Sequence, residues 1–363
     1  MRLGVEAAVV DGTLVSGDVE IADGVVAAVG LPGRGRGIAA PGFVDLQVNG
    51  FAGVDFMRAD AADFRRAAEA VVETGVTAFQ PTLITASEED LVRAIGEVPP
   101  NGNGAARILG VHLEGPFLSP ARLGAHDGAN RRDPDLDLAE RLLDAGPVRY
   151  MTLAPELPGA LELIRFLRSR DVTVSLGHTD ATAEEAAAAF RAGATTVTHL
   201  FNAMRPFRHR DPGVVGAALV RPEVVVQLIL DGNHVAPETA RVAWAAAAGR
   251  IALVTDAIAA AGAGDGSYSF GNGEVSVDGG VARRADGVLA GSSATMLDAV
   301  RNLCALGVSP AEALSAASAV PARVLGRDDL GTIAPGSRAD VLVLDDSLEL
   351  RRVVLAGKER VAA

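Results

Sequence analysis

Eight short runs of apolar and β-branched residues punctuate the middle of the chain without strict alternation: "GFVDLQVNG", "GVTAFQPTL", "RILGVHLEG", "VRYMTLAPE", "VTVSLGHT", "TTVTHLFN", "VVVQLILDG" and "IALVTDA". Runs of this kind fit strands buried on both faces, as in a parallel sheet. Ala-, Glu- and Arg-rich stretches of helical character separate most of them, clearest in "DFRRAAEAVVETG", "ALELIRFLRSR", "TAEEAAAAFRAG" and "APETARVAWAAAAG". In the third stretch the residues from Thr179 to Glu184 supply hydroxyl and acidic groups for a helix start, and Gly193 ends the helix. Eight strand–helix units predict an α/β protein built on a (β/α)8 TIM barrel. A doubly wound sheet is the alternative. It calls for a Gly-rich phosphate turn after an early strand, and none reads well here.

The two ends have a different texture. In the first forty residues short β-rich runs are divided by DG and SGD turns, and "LGTIAPGSRADVLVLDDSLELRRVVLAGKERV" near the C-terminus reads the same way. We expect residues 1–40 and 331–363 to pair into a small β-sandwich domain of antiparallel strands, with the barrel at 41–330. After the eighth run comes "GAGDGSYSFGNGEVSVDGGVARRADGVLAGSS", Gly-rich with hairpin-like pieces, expected to cover the barrel mouth. Helical stretches "ATMLDAVRNLCALG" and "SPAEALSAASAVPARVLG" follow.

Composition narrows the setting. One cysteine, Cys304, leaves no intramolecular disulfide and points to a reducing cytoplasm. The opening residues do not read as a signal peptide, and no run reaches the ~18 apolar residues of a membrane span. A net charge of −13 without a basic block argues against nucleic acid. A single lysine, Lys358, excludes any mechanism that needs a lysine in the barrel.

In such a barrel the C-terminal strand ends converge on one face, and that face carries the chemistry. Glu114 ends the third run, His178 the fifth, His199 the sixth and Asp256 the eighth. One His or Glu at a strand end is ordinary structure; four at the same end of four strands are not. Two imidazoles and a carboxylate supply three N/O ligands and leave a fourth position for water, the pattern of a catalytic metal site, with Asp256 beside it as proton acceptor and donor. Zinc suits the set, though iron, cobalt or manganese could use it too. His112, two residues before Glu114, reads as a buried supporting histidine, His209 as a solvated loop residue, and Cys304 and Trp244 as helix packing.

At these residues the sequence resembles the N-acetylglucosamine-6-phosphate deacetylase family of the amidohydrolase superfamily. "PGFVDLQVNG", "HLEGPFL", "GAHD", "SLGHTDA", "THLFNAM", "RDPG", "DGNHV", "VTDA" and "LAGSS" occur in that order over nearly the whole chain. Many superfamily members carry His-x-His at the first strand end, and some bridge two metals through a carboxylated lysine. Here Gln47-Val48-Asn49 stands there and the barrel has no lysine, so the resemblance implies one divalent metal rather than two. It implies Glu114, His178 and His199 as metal ligands and Asp256 as the catalytic aspartate. Ala125 and His126 match the loop that approaches the sugar and acetamido group, with His126 polarising the carbonyl. Asn202 and Ala203 match contacts after the sixth strand, and Leu289, Ala290 and Gly291 a loop closing over the substrate. Arg210 and His234, with Asp231 in the same "DGNH" motif, match phosphate partners. Family members are dimers, which raises the prospect that Arg210 reaches the neighbouring subunit's site. The alternatives are the N-acetylgalactosamine 6-phosphate epimer as substrate, a cyclic-amide hydrolase, and a non-catalytic metabolite-binding barrel.

Overall fold

The described residues of the computed structural model are 1–33, 35–102 and 104–361; Arg34, Asn103, Ala362 and Ala363, which fall in the segments discussed above, lie outside them. The eight runs become eight strands: β1 (Phe43–Val48), β2 (Val76–Ile84), β3 (Val111–Glu114), β4 (Val148–Leu153), β5 (Thr173–Leu176), β6 (Thr196–Val197), β7 (Val225–Ile229) and β8 (Ile251–Val254). Each is followed by a helix: α1 (Ala61–Val72), α2 (Glu88–Gly96), α3 (Leu136–Asp144), α4 (Ala160–Ser169), α5 (Ala183–Ala192), α6 (Gly213–Leu219), α7 (Pro237–Ala247) and α8 (Met296–Ala305). The strands pair in parallel from β1 through β8. The seam between β8 and β1 is nearly closed: a bridge joins Val48 to Ala257, and Thr255 Oγ1 donates to Asp45 Oδ2 at 2.6 Å. This is a TIM barrel, and the doubly wound alternative is excluded.

Local chemistry sets the helix boundaries. Asp60 caps α1 in a reciprocal pair with Asp63, and Thr182 caps α5 the same way with Glu185 before Gly193 ends it. Helix α1 buries Phe64, Ala67, Ala68, Val71 and Val72, the single stripe that its 3.6-residue period presents to the strands. Inside the barrel the picture is less apolar than the sequence runs suggest. His112 Nε2 meets Thr152 Oγ1 at 2.8 Å, Thr152 meets Thr198 at 2.7 Å, and Thr198 meets Ser175 at 2.6 Å. A hydrogen-bonded hydroxyl layer thus lies within the barrel.

The ends of the chain build a six-stranded sheet in the order Thr13–Ser16, Ala7–Val10, Ile38–Pro41, Val341–Leu344, Leu350–Leu355, Lys358–Val361. It packs on the hairpin Asp18–Ala22 and Val25–Leu31. Successive side chains point to opposite faces. Ala8, Ala39, Val341 and Val354 pack against hairpin residues Val19, Ile21 and Val26, whereas Val9, Ala40, Leu342 and Val353 join the barrel core. One pairing departs from the all-antiparallel expectation: Ala7–Val10 runs parallel to Ile38–Pro41. The intervening hairpin carries the chain back to the same end of the sheet, so the two strands start from the same side. The Gly-rich segment after β8 forms a three-stranded antiparallel sheet, Gly266–Phe270, Gly273–Asp278 and Val281–Arg283.

Candidate active site

Residues from four strand ends meet at the C-terminal mouth. Glu114 ends β3, His178 and His199 follow β5 and β6, Asp256 follows β8, and all four are buried. His178, His199 and Asp256 hold positive φ values of 47°, 29° and 50°, a left-handed conformation that costs a non-glycine residue energy and that recurs at functional sites. The turn aims each side chain inward from the strand end. Glu114 Oε1 lies 3.1 Å from His178 Nε2 and 2.9 Å from His199 Nε2, and the two Nε2 atoms are 3.2 Å apart. One ligand atom from each residue fits within 4.8 Å of the others.

The surrounding hydrogen bonds assign opposite protonation to two neighbouring histidines. His178 Nδ1 faces the backbone carbonyl of Arg122 at 3.0 Å, which can only accept. Nδ1 therefore carries the proton, and Nε2 turns a lone pair toward His199 and Glu114. A lone pair facing a carboxylate oxygen is repulsive unless a cation sits between them, so the donor set fits a divalent metal. His126 is the reverse case. Its Nδ1 accepts from the backbone N–H of Thr85 at 3.3 Å, with the Thr85 hydroxyl at 3.0 Å. Its proton is then on Nε2, 3.5 Å from Glu114 Oε2 and at the cavity wall. Burial pushes His126 down to about 4, so the ring is a neutral N–H donor.

Burial raises the Glu114 carboxyl, but the neighbouring His126, His178 and His199 rings outweigh it and hold the group well below the usual range. At Asp256, burial and then the charge of Glu114 push the carboxyl up to about 7, against the pull of His199, His234 and the Asn49 amide. A bound cation would oppose that rise. His234 Nδ1 lies 2.8 Å from Asp231 Oδ2. Burial lowers His234, yet the Asp231 hydrogen bond and charge raise it above its ordinary value, while Asp231 itself, despite burial, is drawn down to about 2.

The cavity above this cluster measures about 250 Å³. Beyond the metal-type ligands, Ala125, His126, Asn202, Ala203, His234, Asp256, Leu289 and Gly291 line it. Asp231 stands behind His234. Two expected contacts are placed elsewhere. Ala290 is buried among Ile258, Val275 and Val277, because alternate residues of its extended segment face opposite ways. Arg210 is exposed, in a turn closed by backbone bonds between Arg208 and Asp211, and does not line its own chain's cavity. The buried His112 takes no place among the ligands: Nδ1 faces the Leu46 carbonyl and Nε2 the Thr152 hydroxyl, and burial pushes it down to about 4.

Some contributors were not assigned from sequence. Gln47 Nε2 donates to Glu114 Oε1 at 3.0 Å and Asn49 Nδ2 to Asp256 Oδ1 at 2.6 Å. Their two-residue spacing at a strand end, one inward face, was the available signal. Phe270 and Val288 line the cavity from the antiparallel sheet and the segment after it, within the Gly-rich stretch expected over the barrel mouth, where neither residue stood out by itself.

Residues 38–360 match the Amidohydrolase family. The chain is 39% identical to the N-acetylgalactosamine-6-phosphate deacetylase of Escherichia coli O157:H7, with 96% of each chain covered. It is 43% identical to the human N-acetylglucosamine-6-phosphate deacetylase, over 89% of this chain and 83% of that one. Among solved structures, a mutant N-acetyl-D-glucosamine-6-phosphate deacetylase of Mycobacterium smegmatis in complex with N-acetyl-D-glucosamine-6-phosphate superposes with a TM-score of 0.91 at 38% identity, covering 99% of this chain and 98% of that one. The Thermotoga maritima N-acetylglucosamine-6-phosphate deacetylase gives a TM-score of 0.89 at 34% identity, with 99% of both covered.

Proposed function

The chain belongs to the amidohydrolase family and is a hydrolase, and from that premise we propose that its strand-end cluster cleaves the acetamide of N-acetylglucosamine 6-phosphate to glucosamine 6-phosphate and acetate. Glu114, His178 and His199 hold one divalent metal, zinc by the preference of a two-imidazole, one-carboxylate set. When bound there, a divalent cation supplies a Lewis acid that polarises the acetamide carbonyl and lowers the pKa of a water. Asp256 accepts the proton of the attacking water and returns it to the departing sugar nitrogen. The Nε2–H of the neutral His126 donates to the carbonyl oxygen as negative charge builds on it. Protonated His234, backed by Asp231, takes the 6-phosphate with the backbone of Asn202 and Ala203. Leu289 and Gly291 close over the sugar.

The observation that carries this reading is the pair of opposed tautomers: one histidine offers a lone pair and its neighbour an N–H, which are the ligand and the oxyanion donor that metal-assisted amide hydrolysis needs. An Asp256→Asn protein should retain its metal by elemental analysis and lose about 10²–10⁴-fold in kcat on acetate release. Near-normal turnover rejects Asp256 as the base.

Two observations extend the proposal. Phe207 and Val220 are 56% and 76% exposed, and Phe207 lies within reach of Gly216 on the same face of α6 as Val220. This apolar face, beside the exposed Arg210, suits a homodimer in which Arg210 completes the partner's phosphate site. Among the described residues no helix is long and apolar enough to cross a membrane; the half-buried lone cysteine and the phosphorylated substrate suit a cytoplasmic enzyme. The E. coli relative favours a second reading, the galactosamine epimer, and the ratio of kcat/KM on the two sugar phosphates decides between them.

A further inference from the structure

The seam between β8 and β1 is the least regular join in the barrel, and the proposed base stands on it. Three consecutive residues of the β8 end are gripped from β1. Asp45 accepts from the Thr255 hydroxyl at 2.6 Å and from its backbone N–H at 3.3 Å. The backbone N–H of Asn49 donates to the Ala257 carbonyl at 2.7 Å. Between them, Asn49 Nδ2 donates to Asp256 Oδ1 at 2.6 Å. Asn49 is 5% exposed, and its Oδ1 has no partner among the described residues. The amide is therefore oriented by its single bond to Asp256.

We propose that Asn49 is a positioning residue for the hydrolysis: its N–H group holds Oδ1 of Asp256 so that Oδ2 is the oxygen presented to the attacking water. The Asn49 amide makes the single side-chain hydrogen bond to Asp256 among the described residues, so nothing else there fixes which oxygen faces the cavity. Asp256 lines the cavity, so fixing one oxygen fixes the direction of the other. Proton transfer depends steeply on such alignment. Gln47, two residues earlier on the same face, stands in the same relation to Glu114, which leaves Asn49 as the amide directed at the base.

The inference rests on the reading of Asp256 as the base, and the test separates the two. Asn49→Ala, Asn49→Leu (the same branching of heavy atoms, without the N–H), Asp256→Asn and the double variant Asn49→Ala/Asp256→Asn are assayed on N-acetylglucosamine 6-phosphate, with elemental analysis and a melting curve for each. Both Asn49 variants should lose about 10- to 100-fold in kcat with KM within about threefold of wild type and metal content unchanged. The double variant should be no slower than Asp256→Asn alone, because a residue acting only through Asp256 has nothing left to act on. Wild-type kcat in both single variants, loss of metal, or a double variant slowed by the full extra factor overturns the role of Asn49. A fast Asp256→Asn protein is the one result that removes the base itself and the inference with it.

Discussion

At the scale of single residues, backbone groups decide what each histidine is. His178, His126 and His234 are the same side chain in one cavity, yet a carbonyl, an N–H and a carboxylate at Nδ1 suit them to three different parts in the proposed reaction: lone-pair ligand, neutral N–H donor and phosphate partner. For His234 the consequence is a pH dependence. Burial lowers it, the Asp231 hydrogen bond and charge raise it more, and the folded pKa lies above the ordinary value of 6.5. The stabilisation from this pair is whole below the unfolded pKa and is lost as pH rises through the raised folded value. In the proposed reading, phosphate binding follows the same sign. KM for the phosphorylated sugar should climb on the alkaline side of that value, while a non-phosphorylated analogue shows a flat profile. In His234→Gln the climb should vanish; an unchanged climb would assign it to another group.

At the scale of elements, strand ends and the segments crossing them set the tolerances. Leu289 and Gly291 can lie over β8 only because Gly291 lacks a side chain: at φ +64°, an added Cβ would stand 2.7 Å from the Asp256 carbonyl and 2.5 Å from Ile258 Cγ2. Gly291→Ala must displace either that segment or the turn that aims Asp256. We expect it to cost about 1–3 kcal/mol of stability, read from denaturant melts, and to lower kcat more than it raises KM. Normal stability with normal kcat would show that the segment yields freely. The third run illustrates a complementary limit: "RILGVHLEG" forms two strand pieces, Arg107–Ile108 and Val111–Glu114, because Gly110 at φ +95° packs against the Pro147 carbonyl and Arg149. A β-rich run announced the strand, but the break depends on what a neighbouring loop brings alongside.

At the scale of the molecule, Arg210 is the residue whose placement in one chain explains least. Arg205 anchors its turn through both oxygens of Asp211 at 2.9 Å and bonds the Asp180 carboxylate at 3.2 Å, which in turn holds Arg122, whose carbonyl faces His178. The turn is thus tied rigidly to the metal-type ligands although its guanidinium points outward. If the partner's site uses it, mixing Arg210→Ala with Asp256→Asn subunits should restore activity that neither protein has alone. Random reassortment would complete about a quarter of the wild-type number of sites. A mixture no more active than the sum of its parts would leave Arg210 to its own chain.

Much of this was legible in the order of residues. Unbroken β-branched runs and the 3.6-residue period mark which segments can be strands and which helices, and parallel strands ending in Glu114, His178, His199 and Asp256 must put those groups on one face, because a barrel has only one C-terminal rim. The capping residues and the absence of a barrel lysine are likewise properties of the chain alone. What no linear pattern contains is which atoms meet across the barrel. The Asn49 amide on Asp256, Thr85 behind His126, Phe270 arriving from a separate sheet, and Arg210 turned to solvent all depend on contacts between residues far apart in sequence. Those contacts are fixed by strand register, by packing and by left-handed turns, and in these the tertiary structure alone decided.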